Sequence, residues 1–379
     1  MEVRLDIAEE ALKVFVAALQ CLSQVGKELS IECDPCARRL TLRALNDAHS
    51  ASGQVVLDRS FFSESQGRRG VTLAGVDIAS DETLRARFGG RTPFVKCKVF
   101  AKPCCNVFRT LKHVQTVQLA LLVDQKALDQ AAGGSASQED ESQASDVDEM
   151  DVDCMELMWR LRCDFDITKT HHMKVQPCQI MRAVFDKSAS PSRWRTRQHH
   201  LSSLLTHIHH SGEVSVTCSP THVKFESYFS NFTDSKAQLQ TETAVESAEF
   251  SEYMLQSLAD DSVDAAAQLI FCIKEIRALL AFCKTSDVLE VSFYFSTAGS
   301  PVLFAAESTS MAKFSIEMTL STVTTFLPAS SQTRTEEEAT LFTIGGNIAS
   351  SQTPLLSQSQ SSSQENPRYL THSKRPRVD

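Results

Sequence analysis

Apolar residues recur at helical spacing over residues 8–26, AEEALKVFVAALQCLSQVG, where Leu12, Phe15, Val16, Leu19 and Leu22 fall on one face. The stretch that follows alternates instead. ELSIECDP at 28–35 and RRLTLRALN at 38–46 predict a strand, a turn and a second strand. Half a chain later the same order returns. SRWRTRQHHLSSLLTHIHHS at 192–211 sets Leu201, Leu204, Leu205 and Ile208 on one side of a predicted helix. EVSVTCSP at 213–220 repeats the Glu, apolar, Ser, apolar, any, Cys, any, Pro pattern of 28–35, and VKFESYFS at 223–230 supplies the second strand.

A second echo reinforces the first. VFAKPCCNVFRTLKHVQTVQLALLV at 99–123 and FCIKEIRALLAFCKTSDVLEVSFYF at 271–295 both read as a helix followed by an alternating strand. In the first copy Lys102, Arg109 and Lys112 fall within about 80° of one another at about 100° per residue, opposite Cys104, Val107, Phe108 and Leu111. Pro103 suits the first turn of a helix, which has no use for its missing N–H. In the second copy Lys274, Arg277 and Lys284 oppose Ile276, Leu279, Leu280 and Cys283. Repeats of this length are domains rather than solenoid units. The fold class expected is therefore α+β, as two similar tandem domains.

Composition changes this picture at two places. The chain has 379 residues, 42% of them hydrophobic, enough for two or three domains with sizeable cores. The formal charge of −9 is concentrated: residues 129–156 hold ten carboxylates and no Lys or Arg. Taking those ten from the 47 acidic residues leaves 37 against 38 basic ones, so the rest is balanced. This Gly-, Ser-, Gln- and Asp-rich segment reads as a disordered hairpin insertion between LALLV at 119–123 and ELMWRLRCDFDI at 156–167. Beyond Leu327, residues 328–379 are rich in Ser, Thr, Gln and Glu and read as a disordered tail. It ends in a basic cluster, Lys374, Arg375, Pro376 and Arg377, of the kind that directs nuclear import. Ser-Gln pairs at Ser331, Ser351, Ser357, Ser359 and Ser363, and Thr335 ahead of three glutamates, are candidate phosphorylation sites. Ser137, Ser142 and Ser145 add candidates within the acidic segment. No apolar run is long enough to span a membrane, and MEVRLDIAEE is not a signal peptide, so no membrane partner is expected.

Catalytic chemistry finds little footing. CDPC at 33–36 has Cys-x-x-Cys spacing, but no second pair follows, and its counterpart CSPT drops the second Cys. The 12 cysteines read as reduced core thiols. The pairs His171–His172, His199–His200 and His209–His210 read as surface helix residues, since neighbours on a helix diverge. Asp164 and Asp166 would share a strand face, which leaves a metal-dependent nuclease as a distant alternative. No P-loop, dinucleotide turn or nucleophile elbow is present, so the expectation is no enzyme, no metal and no cofactor.

What remains is a basic face. Equivalent helices carry Lys102, Arg109 and Lys112, and Lys274, Arg277 and Lys284. Lys13 lies beside the apolar stripe of the first helix, and Arg193, Arg195 and Arg197 open the helix predicted at 192–211. Four such helices lining one concave surface would attract a polyanion through its phosphates without reading bases. The absence of interleaved aromatics argues against single-strand stacking.

Three stretches carry a resemblance to a known family: VKCKVFAKPCCNVFRTLKHVQTV at 95–117, LRCDFDITKTHHMKVQPCQIMRAVFD at 161–186, and FCIKEIRALLAFCKTSDVLEVSFYF at 271–295. They resemble the PCNA type of DNA sliding clamp and, within it, the Rad nine family of subunits of the heterotrimeric DNA-damage checkpoint clamp. The resemblance covers residues 1–326, weaker around 50–95 and 230–265. It implies clamp domains at 1–170 and 189–327, with antiparallel sheets outside and helices lining a DNA-facing inner surface. The basic residues named above would face double-stranded DNA. A connector at 171–188 would form a groove for repair enzymes, to which Val175, Ile180 and Met181 contribute. Further implied partners are two other clamp-like subunits in one ring, an ATP-dependent clamp loader, checkpoint kinases and a phosphopeptide-binding checkpoint activator. The implied location is the nucleus. The family's tail ends in an acidic Ser context whereas this one ends basic, which leaves Thr335 and the Ser-Gln cluster as alternative docking sites. A homotrimeric processivity clamp is the second reading. The acidic segment 129–156 is read as an internal decoy for the basic face.

Overall fold

A computed structural model of the chain describes residues 2–34, 37–62, 64–65, 68–69, 71–73, 92–124, 149–208, 211–229, 239–256 and 267–323. The candidate phosphorylation sites, the import cluster, Cys36 and His209–His210 lie outside these residues.

The element order is written twice. The first half runs β1 (Glu2–Ala8), α1 (Glu9–Val25), β2 (Glu28–Asp34), β3 (Arg39–Leu45), β4 (Ala51–Leu57), the short strands β5 (Glu64–Ser65), β6 (Arg68–Arg69) and β7 (Val71–Leu73), then β8 (Thr92–Phe100), α2 (Ala101–Val107), β9 (Val114–Val123), β10 (Glu149–Cys163) and β11 (Thr168–Lys174). The second half runs β12 (Ser192–Arg197), α3 (Gln198–Thr206), β13 (Glu213–Cys218), β14 (His222–Tyr228), β15 (Glu242–Glu246), β16 (Glu252–Met254), β17 (Ala267–Cys272), α4 (Ile273–Thr285), β18 (Glu290–Phe295), β19 (Val302–Glu307) and β20 (Phe314–Leu320). Pairings repeat with the order. β1 pairs β7 and β9 as β12 pairs β16 and β18, and β2 pairs β3 and β8 as β13 pairs β14 and β17. β10 carries β11 as β19 carries β20.

One pairing crosses between the halves. β4 and β20 run antiparallel from Ala51↔Leu320 to Leu57↔Phe314 and fuse both halves into a 14-stranded sheet. β15-β14-β13-β17 form a second sheet. The helices pack in a row, α2 on α1, α1 on α4 and α4 on α3. Beneath them each half has a tryptophan-centred core: Trp159 with Phe15 and Phe108 at ring-centroid distances of 5.7 and 5.1 Å, and Trp194 with Phe293 at 4.8 Å. Aromatic pairs at these spacings add to the area they bury. Eleven cysteines among the described residues are free thiols, most of them buried. Burial pushes Cys283 up to about 12 and Cys272 up to about 11, which leaves both unreactive near neutrality.

Several elements depart from the sequence reading. The predicted helix 192–211 begins as a strand: over β12 the burial alternates, with Ser192, Trp194 and Thr196 inside, and only Gln198–Thr206 is helical. A tryptophan and a threonine at alternate positions favour a pleated surface over a helix. The first-half helix ends at Val107, so Arg109 and Lys112 lie in the turn before β9. Asp164 and Asp166 are in a 3-10 turn, not a strand, with Phe165 and Asp166 in the left-handed region. The hairpin around the acidic segment forms, because β9 pairs β10. β10 already starts at Glu149, however, so Glu149, Asp151, Asp153 and Glu156 belong to a strand. A deletion that tests the decoy reading must therefore stop before residue 149. His171 to Lys174 belong to β11, so His171–His172 sit on a strand rather than a helix. The crossing run without helix or paired strand is 175–191, apart from a bridge between Gln176 and Lys98.

Polar side chains tie that run to the joint. On one face of the sheet Glu32 of β2 accepts from Arg43 of β3, Arg43 donates to Gln54 of β4, and Gln54 donates to Glu317 of β20 at 3.0 Å. Arg182 reaches Glu32 at 3.2 Å and Lys187 reaches Glu317 at 2.6 Å, one at each end of the row. Glu32 is buried, and a buried carboxylate persists only while its partners stay. Glu32→Gln removes the buried negative charge that Arg43 is paired with, so the urea midpoint should fall by the equivalent of about 3–5 kcal/mol. An unchanged midpoint would remove the row from the structural argument. Gly26 gives an independent check. Its backbone presses on the Leu45 carbonyl, with no room for a Cβ, whereas Gly212 faces open space. Gly26→Ala should cost about 1–3 kcal/mol by overpacking, and Gly212→Ala should melt with the parent chain in a thermal scan.

Candidate nucleic-acid interface

The helix row presents its outer face to solvent, and its charge is less uniform than the sequence implies. On α1, Lys13 is exposed, but so are Glu9 and Glu10 in the first turn. On α2, Lys102 is exposed, and Arg109 and Lys112 follow it in the exposed turn. On α4, Lys274 and Lys284 are exposed, and Lys284 lies in the last turn, where the helix dipole favours a cation. α3, QHHLSSLLT, carries no Lys or Arg; its exposed residues are His199, Ser203 and Thr206.

Two groups of predicted cations have other partners. Arg193 and Arg195 stand on β12, not on a helix, and both bridge to Glu252 of β16, Arg195 at 3.4 Å. Arg195 also donates to Ser292 at 3.2 Å. Arg197 is exposed where β12 turns into α3. Arg277 is half-buried and donates to the Ile208 carbonyl, so it fastens α4 to the end of α3. A guanidinium committed to a carbonyl contributes to packing first. The exposed cations left along the row are Lys13, Lys102, Arg109, Lys112, Arg197, Lys274 and Lys284. The lysines among them suit phosphates better than bases, because they act as point charges with no fixed fork.

Two cavities lie beside the crossing run in which the partner groove was expected. One cavity of about 230 Å³ is lined by Glu32, Asp34, Arg39, Thr41, Arg43, Gln54, Val56, Phe94 and Arg182. A second, of about 140 Å³, reaches from Glu28, Ser30 and Lys98 to Gln179 and Met181. Met181 is exposed and lines the second. Ile180 is half-buried and lines neither, and Val175 packs against the core. The walls of both cavities are mostly charged and polar. Sequence reasoning missed Glu32, Arg43, Arg182 and Lys187. For Glu32 and Arg43 the available signal was their alternation with apolar residues on strands already identified; Arg182 and Lys187 lie in the crossing run, where no periodicity points to them.

Asp164, the first member of the suspected carboxylate pair, bonds His113 at 2.8 Å and Gln115 at 3.0 Å. Among the described residues no group of three or more His, Cys, Asp or Glu side chains is placed to hold a metal, and no helix is long and apolar enough to cross a membrane.

Comparison with known proteins gives this geometry a family. A solved PCNA2–PCNA3 complex from Sulfolobus tokodaii is similar in fold, with a TM-score of 0.53 over 84% of this chain and 98% of that one at 8% identity. The fold is that of a sliding clamp. The cell cycle checkpoint control protein Rad9 of Drosophila melanogaster is 24% identical over 292 residues, 77% of this chain and 50% of that protein. The DNA repair protein rad9 of Schizosaccharomyces octosporus is 22% identical over 297 residues, 75% of this chain and 62% of that protein. The chain thus spans about half to three fifths of the length of these curated relatives. The Rad9 family model matches residues 15–323, from the first helix to the last described residue, and the chain belongs to the Rad9 family.

Proposed function

We propose that this chain is a non-catalytic subunit of a nuclear DNA-damage checkpoint clamp, one of three different clamp-like chains that close a ring around double-stranded DNA. The observation that carries the reading is the repeated topology together with what it leaves open. β4 and β20 pair with each other inside the chain. Their counterparts in the repeat are β15, the third strand of the second half, and β11, the last strand of the first. Each has one strand neighbour and one unpaired edge among the described residues. β7, β16 and β17 also end their sheets, but β15 and β11 are the two that correspond to the strands of the internal joint; two such edges at different places favour head-to-tail contacts, which close into rings when the rotation permits. Unpaired edges are also a liability that a ring removes.

On this reading each half is one clamp domain, and the run after β11 is the connector. An ATP-dependent loader opens the ring. Repair enzymes engage the charged cavities beside Arg182 and Met181. Checkpoint kinases act on the Ser-Gln pairs and Thr335, and the phosphorylated tail recruits a phosphopeptide-binding activator. Each phosphate would add charge and acceptor oxygens for an Arg-bearing reader.

Two measurements test the reading. The tagged full chain, purified from nuclear extract and weighed by native mass spectrometry, should give a one-to-one-to-one assembly with two other clamp-like chains. A homotrimer would replace the checkpoint reading by the processivity clamp, and a lone monomer would remove the ring. With the assembled ring, Lys102→Met and Lys274→Met should each lower the slope of log affinity against log salt by about 0.9 for each phosphate no longer neutralised. Arg277→Met should leave that slope alone and instead cost about 1.5–3 kcal/mol of stability, because the Ile208 carbonyl is deprived of a charge-assisted hydrogen bond. Slopes identical to the parent for both lysine variants would take the DNA from the helix row.

A further inference from the structure

Two thiols of the first half meet where β10 changes partners. Residues Glu149–Asp153 of β10 pair in parallel with Thr92–Lys96 of β8, and from Cys154 onward β10 pairs antiparallel with β9. The step after Asp153↔Lys96 brings Cys154 beside Cys97. Paired strands lie about 4.8 Å apart, inside the range of about 4.4–6.8 Å that a disulfide spans between Cα atoms. Both side chains turn inward, and the Cys97 thiol hydrogen-bonds to the Cys154 sulfur. The repeat manages without such a pair. Cys97 lies opposite Ile31 of β2, whereas the corresponding Val216 of β13 lies opposite Leu269.

The two sulfurs are not alike. The hydrogen bond from Cys97 holds Cys154 below the ordinary thiol value, against its own burial, and the same bond together with burial holds Cys97 well above it. Burial pushes Cys33, Cys104 and Cys218 up, which leaves those core thiols inert. Cys154 also lies next to solvent. The register shifts between Cys154 and Glu156, and this bulge leaves the intervening Met155 65% exposed. The Cys154 S–H donates to the Glu156 carbonyl at 3.0 Å, so its sulfur lone pairs are free to accept from Cys97. Residues 149–153 have β8 as their one strand neighbour among the described residues. That end of β10 can open to a molecule the size of peroxide without disturbing the ladder to β9.

We infer that Cys154 and Cys97 form a hydroperoxide-reactive dithiol, in which Cys154 takes up the oxidant and Cys97 resolves it into a disulfide that staples β10 to β8. The Cys154 thiolate attacks one peroxide oxygen. An S–O bond forms, the O–O bond breaks, and the departing hydroxide combines with the proton that Cys154 released. The sulfur is oxidised to a sulfenic acid and the peroxide is reduced. The Cys97 sulfur then attacks the sulfenic sulfur. The S–S bond forms, the S–O bond breaks, and the second hydroxide leaves with the Cys97 proton. One peroxide and two thiols thus give one disulfide and two waters. The bond closes a loop that carries α2, β9 and the acidic residues that precede β10. It is a property of the chain alone and depends neither on a ring nor on DNA.

Hydrogen peroxide added to the reduced full chain tests the pair. Thiol titration in denaturant should show two thiols lost per chain, peptide mass spectrometry should place the link between Cys97 and Cys154, and dithiothreitol should restore both. Dimedone should trap a sulfenic acid at Cys154 in Cys97→Ser and none at Cys97 in Cys154→Ser. Amide exchange across residues 149–153 should slow when the parent chain is oxidised and stay the same in either variant. If a serine variant melts early, the parent chain still decides, because its link is mapped without any substitution. A full complement of thiols after peroxide, or a link between other cysteines, overturns the inference. Sulfinic acid at Cys154 with Cys97 still free overturns it too, since Cys97 would then not be the resolving thiol.

Discussion

The pairing of β4 with β20 is the constraint on which the remainder of the fold depends. It joins two strands that lie far apart in sequence, and it makes one sheet out of two. The row from Glu32 through Arg43 and Gln54 to Glu317 crosses the same junction. Backbone pairing alone would tolerate a slip, but a slip of one residue turns every side chain to the other face. The row therefore fixes register: shifted by one, Gln54 would meet Ile316 or Met318, and both chains of polar contacts would end in unpaired groups. Arg182 and Lys187 add the crossing segment to the same row, so its course is set by the joint rather than by secondary structure of its own.

The helices follow from the sheet. Once the halves are fused, α1 and α4 meet, and α2 and α3 flank them. Their inner faces are apolar and fill two aromatic cores. Their outer faces are free to carry charge, and the lysines on α2 and α4 are spaced by packing rather than by pairing. The arginines behave differently. Arg43, Arg182, Arg193, Arg195 and Arg277 are all held by a carboxylate or a carbonyl. The planar fork of arginine suits such fixed contacts, while the exposed ammonium groups of Lys102, Lys274 and Lys284 remain available to a diffuse polyanion.

Much of this was legible in the sequence where a single period ran long enough. The stripe Leu12, Phe15, Val16, Leu19, Leu22 predicts α1 almost to the residue, and the two Cys-Pro strands reveal the duplication. Legibility failed where two periods overlap. In SRWRTRQHHLSSLL the leucines have helical spacing, but Trp194 and Thr196 alternate; burial of Trp194 in the aromatic core decided for a strand, and that decision is tertiary. The basic face was overestimated for a related reason. Periodicity tells which side of a helix a cation takes but not what else reaches it, so the Ile208 carbonyl beside Arg277 and Glu252 beside Arg193 were invisible. The charged cavities were missed because hydrogen-bonded rows across strands leave only a weak trace: polar residues at alternate positions, which most solvent-facing strands share.

The covalent link between the halves has a kinetic consequence. Strands of one chain held by a short segment meet at an effective concentration in the millimolar range, whatever the concentration of the protein. Strands of different chains meet only as often as dilution allows. In a closed assembly of chains built this way, each chain contributes one seam of each kind. Half the seams are then insensitive to dilution, and scarcity or mechanical work can part only the others.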